Sequence, residues 1–208
     1  MKNIVVLVSG GGTNLQALID AEKSGIIKNG RITCVISSNP DAYALKRAES
    51  NNIETEVIRR KDFPNFNSYD KALTELVKSK NADLIVLAGF MTILGREIIS
   101  AFENKIINIH PALIPSFCGE GFYGLRVHKA ALEKGVKLSG ATAHFVNEEC
   151  DGGPIIIQKS VEVKYGDTPE TLQRRIMEQA EWKILPEAVS LFCQDKIKVI
   201  KNIVVIND

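Results

Sequence analysis

The sequence predicts an α/β fold: an open, mostly parallel sheet with helices on both faces and an antiparallel C-terminal portion. Three observations carry that expectation. Short apolar runs rich in β-branched residues alternate with stretches of helical periodicity through the first hundred residues. Strands apolar on both faces belong in a parallel sheet covered on both sides. A triple glycine, Gly10-Gly11-Gly12, joins the first run to the first helical stretch. Beyond residue 137 two strand-like runs flank Asp151-Gly152-Gly153, the pattern of an antiparallel pair.

The elements follow in order. Residues 3–8 form a first strand bounded by glycines, and 13–24 a helix through Leu15, Leu18 and Ile19. Residues 32–37 and 54–58 read as strands, with a helix over 43–51 between them. An amphipathic helix over 69–80 turns Leu73, Leu76 and Val77 inward, and 83–88 is another apolar strand. Residues 106–110 form a strand that Pro111 ends, because proline offers no N–H to a ladder. Strands over 138–146 and 154–163 come next. A long helix over 168–192 starts at Asp167-Thr168-Pro169-Glu170, with proline in the first turn. Residues 197–199 and 203–206 suit a terminal hairpin around Lys201-Asn202. With no linker, repeat or low-complexity segment, one domain over 1–208 is expected.

Composition narrows the function classes. The 208 residues are 45% hydrophobic and 25% charged, with Lys+Arg 26 against Asp+Glu 25 and a net charge of +1. That balance argues against nucleic-acid or membrane binding by bulk charge. No apolar run reaches the roughly 18 residues of a membrane span. The short first apolar run leads straight into glycines, so no signal peptide is expected. Cys34, Cys118, Cys150 and Cys193 are scattered, which suits reduced thiols in the cytoplasm.

Two segments carry chemistry. Alternation along a strand puts Asn108 and His110 on one face, at its carboxyl end. An amide there can hold an oxyanion, and an imidazole can carry a proton near neutral pH. His128 and His144 suit structural or supporting roles, and the three histidines lack metal-ligand spacing. Asp151 is either a solvated acidic turn or a carboxylate folded back onto His110, where it would favour the imidazolium. The glycine loop Ser9 to Leu15 is either a tight turn or a phosphate site at a helix start. Leu15 stands where a dinucleotide fingerprint needs Gly or Ala, and no lysine completes a Walker loop. A phosphate monoester therefore suits it better than a pyrophosphate.

The chain resembles the phosphoribosylglycinamide formyltransferase family. The matching pieces are Val8-Ser9-Gly10-Gly11-Gly12-Thr13-Asn14-Leu15-Gln16-Ala17, Leu87-Ala88-Gly89-Phe90-Met91, Asn108-Ile109-His110-Pro111-Ala112-Leu113-Ile114-Pro115 and Asp151-Gly152-Gly153-Pro154. The resemblance implies a Rossmann-like, formyltransferase-type sheet, with a phosphate-binding half over 1–100 and a catalytic, folate-binding half over 101–208. It implies formyl transfer from 10-formyltetrahydrofolate to the amino group of N1-(5-phospho-D-ribosyl)glycinamide, in de novo purine biosynthesis. It places Asn108, His110 and Asp151 at catalytic positions. Gly11, Gly12, Thr13, Asn14 and Leu15, with Glu181, match the phosphoribosylglycinamide site. Met91, Thr92, Ile93 and Leu94, with Asn108, Glu148, Glu149, Cys150 and Asp151, match the folate site. The folate is a co-substrate, so no tightly bound cofactor and no metal are implied. The partners are small molecules, not nucleic acid or membrane, and the chain is a monomer or homodimer. The Ile114-Pro115 bond is expected to be cis.

Three positions depart from the family pattern. Phe66 stands where an arginine usually meets the folate tail, leaving Arg59 or Arg60 as substitutes. Thr92 replaces an arginine in the Met-Arg-Ile-Leu segment. The glycine-rich loop 117–125 is longer than usual and is either a mobile flap or a surface loop. Related enzymes that hydrolyse the folate usually carry an amino-terminal regulatory domain, and transfer-RNA formyltransferases a carboxyl-terminal one; neither is expected here. A nucleotide-binding sensor or oxidoreductase would leave Asn108, His110 and Asp151 without a purpose.

Overall fold

β-Branched runs become strands wherever both of their faces find cover. The computed structural model describes residues 1–207. β1 (Lys2–Val8), α1 (Thr13–Lys23), β2 (Gly30–Ser37), α2 (Tyr43–Glu49), β3 (Glu54–Val57), α3 (Phe66–Ser79), β4 (Leu84–Leu87), α4 (Arg96–Ala101) and β5 (Ile106–His110) alternate through the first half. α5 (Leu125–Lys134), β6 (Leu138–Phe145), β7 (Ile155–Glu162), α6 (Pro169–Ile176), α7 (Trp182–Cys193), β8 (Ile197–Ile200) and β9 (Ile203–Ile206) complete the chain.

Seven strands form one sheet in the order β3-β2-β1-β4-β5-β6-β7, and β8 and β9 make a separate hairpin. β1 to β5 run parallel, while β6 and β7 pair antiparallel. The order reverses between β1 and β4, which opens a crevice at the carboxyl ends of the strands, where open α/β sheets bind ligands. Alternation along β1 sends Ile4, Val6 and Val8 to the face covered by α1 and α7. It sends Val5 and Leu7 to the face covered by α3 and α4. Each such side chain, withdrawn from water, stabilises the fold by roughly 1.5–3 kcal/mol.

The strands lie within a residue or two of their predicted positions. α3 starts at Phe66, three residues before the expected start, because the Asn65 side chain accepts the Ser68 N–H and caps it. The helix expected over 168–192 is interrupted by a π segment, Met177–Glu181, between α6 and α7. α4 was not foreseen: its six residues are too short for a periodic signal. Lys201 and Asn202 both have positive φ, the backbone of a two-residue hairpin turn. Among the described residues, no helix is long and apolar enough to cross a membrane.

Candidate active site

Strand register builds the site. Asn108 on β5 pairs directly with His144 on β6, and His110 pairs with Thr142. Asn108 Nδ2 lies 3.2 Å from His144 Nε2. The Phe145 carbonyl sits 2.8 Å from His144 Nδ1 and makes that nitrogen the donor. Nε2 faces both the Asn108 amide and the Asp151 carboxylate. His144 was expected to play a structural or supporting part; the structure brings it to the centre.

Asp151 comes from the turn between β6 and β7 and has a positive φ of 55°. Its Oδ2 lies 3.4 Å from His110 Nδ1, and its Oδ1 lies 3.6 Å from His144 Nε2 and 3.5 Å from Asn108 Nδ2. Of the two readings of this turn, the structure has the carboxylate folded back. Gly153 makes the fold possible, since a Cβ there would collide with the Phe145 carbonyl.

The charges differ from the simple expectation. Burial lowers the pKa of His110, and it outweighs the raising effects of Asp151 and of the Phe117 carbonyl. Asp151 does favour the imidazolium, as expected, but it does not win. For Asp151 burial is again the largest single influence, upward. The hydrogen bond to His144, the His110 charge and the Gly119 N–H together overcome it and leave the carboxyl below its usual range. With both groups held below their usual ranges, a carboxylate stands beside a neutral imidazole at neutral pH.

The glycine-rich loop packs directly on this pair. His110 Nε2 donates to the Phe117 carbonyl at 2.8 Å, and Gly119 N–H donates to Asp151 Oδ2 at 2.9 Å. Thr142 holds the preceding segment by donating to Ala112 O at 2.7 Å and accepting from Ile114 N–H at 3.1 Å. The Ile114-Pro115 bond is cis, as expected. His128 lies buried in α5 with neither ring nitrogen hydrogen-bonded, and burial with the nearby His110 depresses its pKa to about 4.

The glycine loop packs closely against α2. Gly12 is left-handed at φ 72°, and a Cβ there would come within 2.7 Å of Ala44. The carbonyls of Gly10 and Gly11 turn toward α2, accepting from Ala44 N–H at 3.1 Å and Arg47 Nε at 2.9 Å. The first-turn N–H groups of α1, those of Thr13, Asn14 and Leu15, have no partner inside the helix. Leu15's side chain is wholly buried in the core, so only its backbone faces this side. Asn14 Nδ2 donates to Glu181 Oε2 at 2.7 Å. Burial pushes the Glu181 carboxyl up to about 7 against the lowering effect of Asn14. The π segment delivers Glu181 to Asn14.

The segment expected to bind folate runs between β4 and α4. Met91 and Ile93 are exposed, Leu94 is buried, and Thr92 stands beside the Tyr69 hydroxyl. Met91 N–H donates to Ser9 Oγ at 2.8 Å, which ties this segment to the glycine loop. Across the gap, Arg96 makes a two-point bond to Glu148 at 3.0 and 2.8 Å, while Glu149 and Cys150 are exposed. Arg59 is held by Asp62 at 2.6 Å. Arg60 lies over the Phe66 ring, 5.9 Å from its centroid. A cavity of about 880 Å³ lies away from His110, between α1 and α7 beside Thr13 and Arg47.

The formyl transferase family profile matches residues 2–189. The phosphoribosylglycinamide formyltransferase of Haemophilus influenzae is 42% identical over 203 residues, 98% of this chain and 92% of its own length. The trifunctional purine biosynthetic protein adenosine-3 of Gallus gallus is 41% identical over 94% of this chain, which spans 19% of that protein. The crystal structure of glycinamide ribonucleotide transformylase 1 from Symbiobacterium toebii superposes with a TM-score of 0.94 at 42% identity, covering 100% of this chain and 95% of its own.

Proposed function

The chain belongs to the formyl transferase family, and from that premise we infer that it transfers the formyl group of 10-formyltetrahydrofolate to the amino group of N1-(5-phospho-D-ribosyl)glycinamide, in purine biosynthesis. One observation carries the reading to chemistry: Asn108, His110 and Asp151 converge within 3.5 Å contacts at the carboxyl end of β5.

The reaction joins an amine to a formyl carbon. Attack gives a tetrahedral intermediate with a negative oxygen and a protonated amine. Asn108 Nδ2, turned from His144, donates to that oxygen; one such donor is worth about 100- to 1000-fold in rate. His110, neutral at rest, takes the amine proton. As an imidazolium beside Asp151, it then gives the proton to the departing folate nitrogen when the intermediate collapses. Asp151 orients the ring and stabilises its charged form. The glycine-loop amides hold the sugar phosphate, Glu181 the ribose, and residues 91–94 with 148–151 the folate. No covalent enzyme intermediate is required.

The reading needs no tightly bound cofactor, nucleic acid or membrane, and it places a monomer or homodimer in the cytoplasm. Sedimentation of the purified chain decides the oligomeric state. The activity is tested by following tetrahydrofolate release spectrophotometrically, with and without the ribonucleotide. Release that depends on the acceptor is expected. Release at the same rate without it would make the protein a hydrolase and refute the assignment.

A further inference from the structure

Two cysteines flank the contact between the glycine-rich loop and the Asp151 turn. Cys118 precedes Gly119, and Cys150 precedes Asp151; the Gly119 N–H and the Asp151 carboxylate meet at 2.9 Å. Both thiols line one cavity of about 480 Å³, with Pro115, Gly152 and Ile155 among its other walls. Ionisation of Cys118 opposes that of Cys150, as expected of thiols close in space. Cys150 is exposed and Cys118 half-buried, whereas Cys34 and Cys193 are buried. Glycines 119, 121 and 152 stand on both sides of the contact, giving each backbone room to adjust.

We propose that Cys118 and Cys150 are a modification site, forming a reversible disulfide by exchange with a low-molecular-weight disulfide and thereby latching the loop onto the catalytic pair. The exposed Cys150 thiolate attacks one sulfur of the small disulfide, forming a mixed disulfide and releasing one small thiolate. Cys118 then attacks the Cys150 sulfur and displaces the second. The two protein thiols lose two electrons and two protons, and the small disulfide gains them as two thiols.

The consequence follows from the present contacts. The loop already holds His110 Nε2 on the Phe117 carbonyl and Asp151 on the Gly119 N–H. A bond between residues 118 and 150 keeps both contacts closed, so His110 cannot turn to the substrate. Burial, then Asp151 and Glu149, raise the Cys118 pKa; burial, then Asp151, Cys118 and Glu120, raise that of Cys150. Exchange is therefore slow at neutral pH and faster in alkali, because the thiolate attacks.

The test treats the full chain with oxidised glutathione at alkaline pH. The expected product is lighter by two hydrogens, gives a linked peptide containing Cys118 and Cys150, and exchanges the amides of residues 116–124 more slowly. Its formyl transfer falls about 100-fold, the loss expected when a general acid–base group is withheld, and dithiothreitol restores it. Cys118→Ser is expected to keep its transfer rate before oxidation and to gain one glutathione without any link. Glutathione adducts without a link in the parent, or a linked protein with unchanged exchange at 116–124, would overturn the proposal. So would a linked protein that works as fast as the reduced one. Only the rate measurement rests on the assigned reaction. A reduced protein without transfer activity refutes that assignment, while mass and amide exchange still decide the latch.

Discussion

At the scale of single residues, the site rests on three groups with separable contributions. His110→Ala removes the proposed proton carrier and is expected to lower kcat by about 100- to 10,000-fold. Asp151→Asn, which keeps the shape but removes the charge, is also expected to lower turnover by orders of magnitude. Unchanged circular dichroism would show that both variants fold, and near-normal rates in both would remove these residues from the mechanism. A second measurement concerns the ring itself. Burial holds the His110 pKa below its usual 6.5, while the Asp151 charge works against that shift. Asp151→Asn should therefore move the His110 titration, followed by NMR, to still lower pH. A move upward would mean that the carboxylate does not act on this ring. The sequence disclosed Asn108 and His110 through strand alternation. It left Asp151 undecided, because a carboxylate in an acidic turn looks the same whether solvated or folded back. It gave His144 a structural or supporting part but not its partners, which come from register across β5 and β6 and not from its neighbours in the chain.

At the scale of elements, tight turns place the chemistry. Gly153 approaches the Phe145 carbonyl so closely that a Cβ would collide with it. Gly153→Ala must push the turn outward and carry Asp151 with it. Misplacement by about 1 Å can cost about 100-fold in rate. The expected result is a kcat/KM loss of that order with cooperative unfolding retained; full activity would show that the turn has slack. A similar close approach occurs at Gly95, where a Cβ would collide with the Asp70 carboxylate. Asp70 Oδ2 instead accepts the Glu97 N–H at 2.8 Å, so a side chain of α3 caps α4, which has no cap of its own. Periodicity read the long elements well. It missed α4, too short to show a period, gave α5 no bounds, and missed the π segment, whose extra residue leaves the residue types helical. The glycine-rich loop was identified as unusual, yet its docking on His110 and Asp151 depends on a backbone carbonyl and a backbone N–H, which no residue type announces.

At the scale of the molecule, one buried acid links stability to pH. Glu181 is only 6% exposed, and its carboxyl titrates near 7 in the fold against 4.5 for the ordinary side chain. The native state therefore binds this proton more tightly than the unfolded chain. The associated stability is complete below pH 4.5, declines as pH rises toward about 7, and then levels off. The decline is at most on the order of 3 kcal/mol. In Glu181→Gln, urea unfolding across this range should lose that component, and an unaltered pH slope would mean another group is responsible. The Asn14 carbonyl oxygen, buried without a donor, gives an amide or a protonated carboxyl at 181 a partner to seek. The sequence by itself determined the alternation of strands and helices, the glycine start of α1 and the common face of Asn108 and His110. Each follows from local rules of periodicity, backbone freedom and side-chain direction. Only the tertiary structure decided that Asp151 and the Phe117 carbonyl meet at the His110 imidazole, that His144 meets Asn108 and Asp151, and that burial holds the His110 pKa down. Those outcomes depend on strand register, loop docking and desolvation, which arise when distant segments exclude water together.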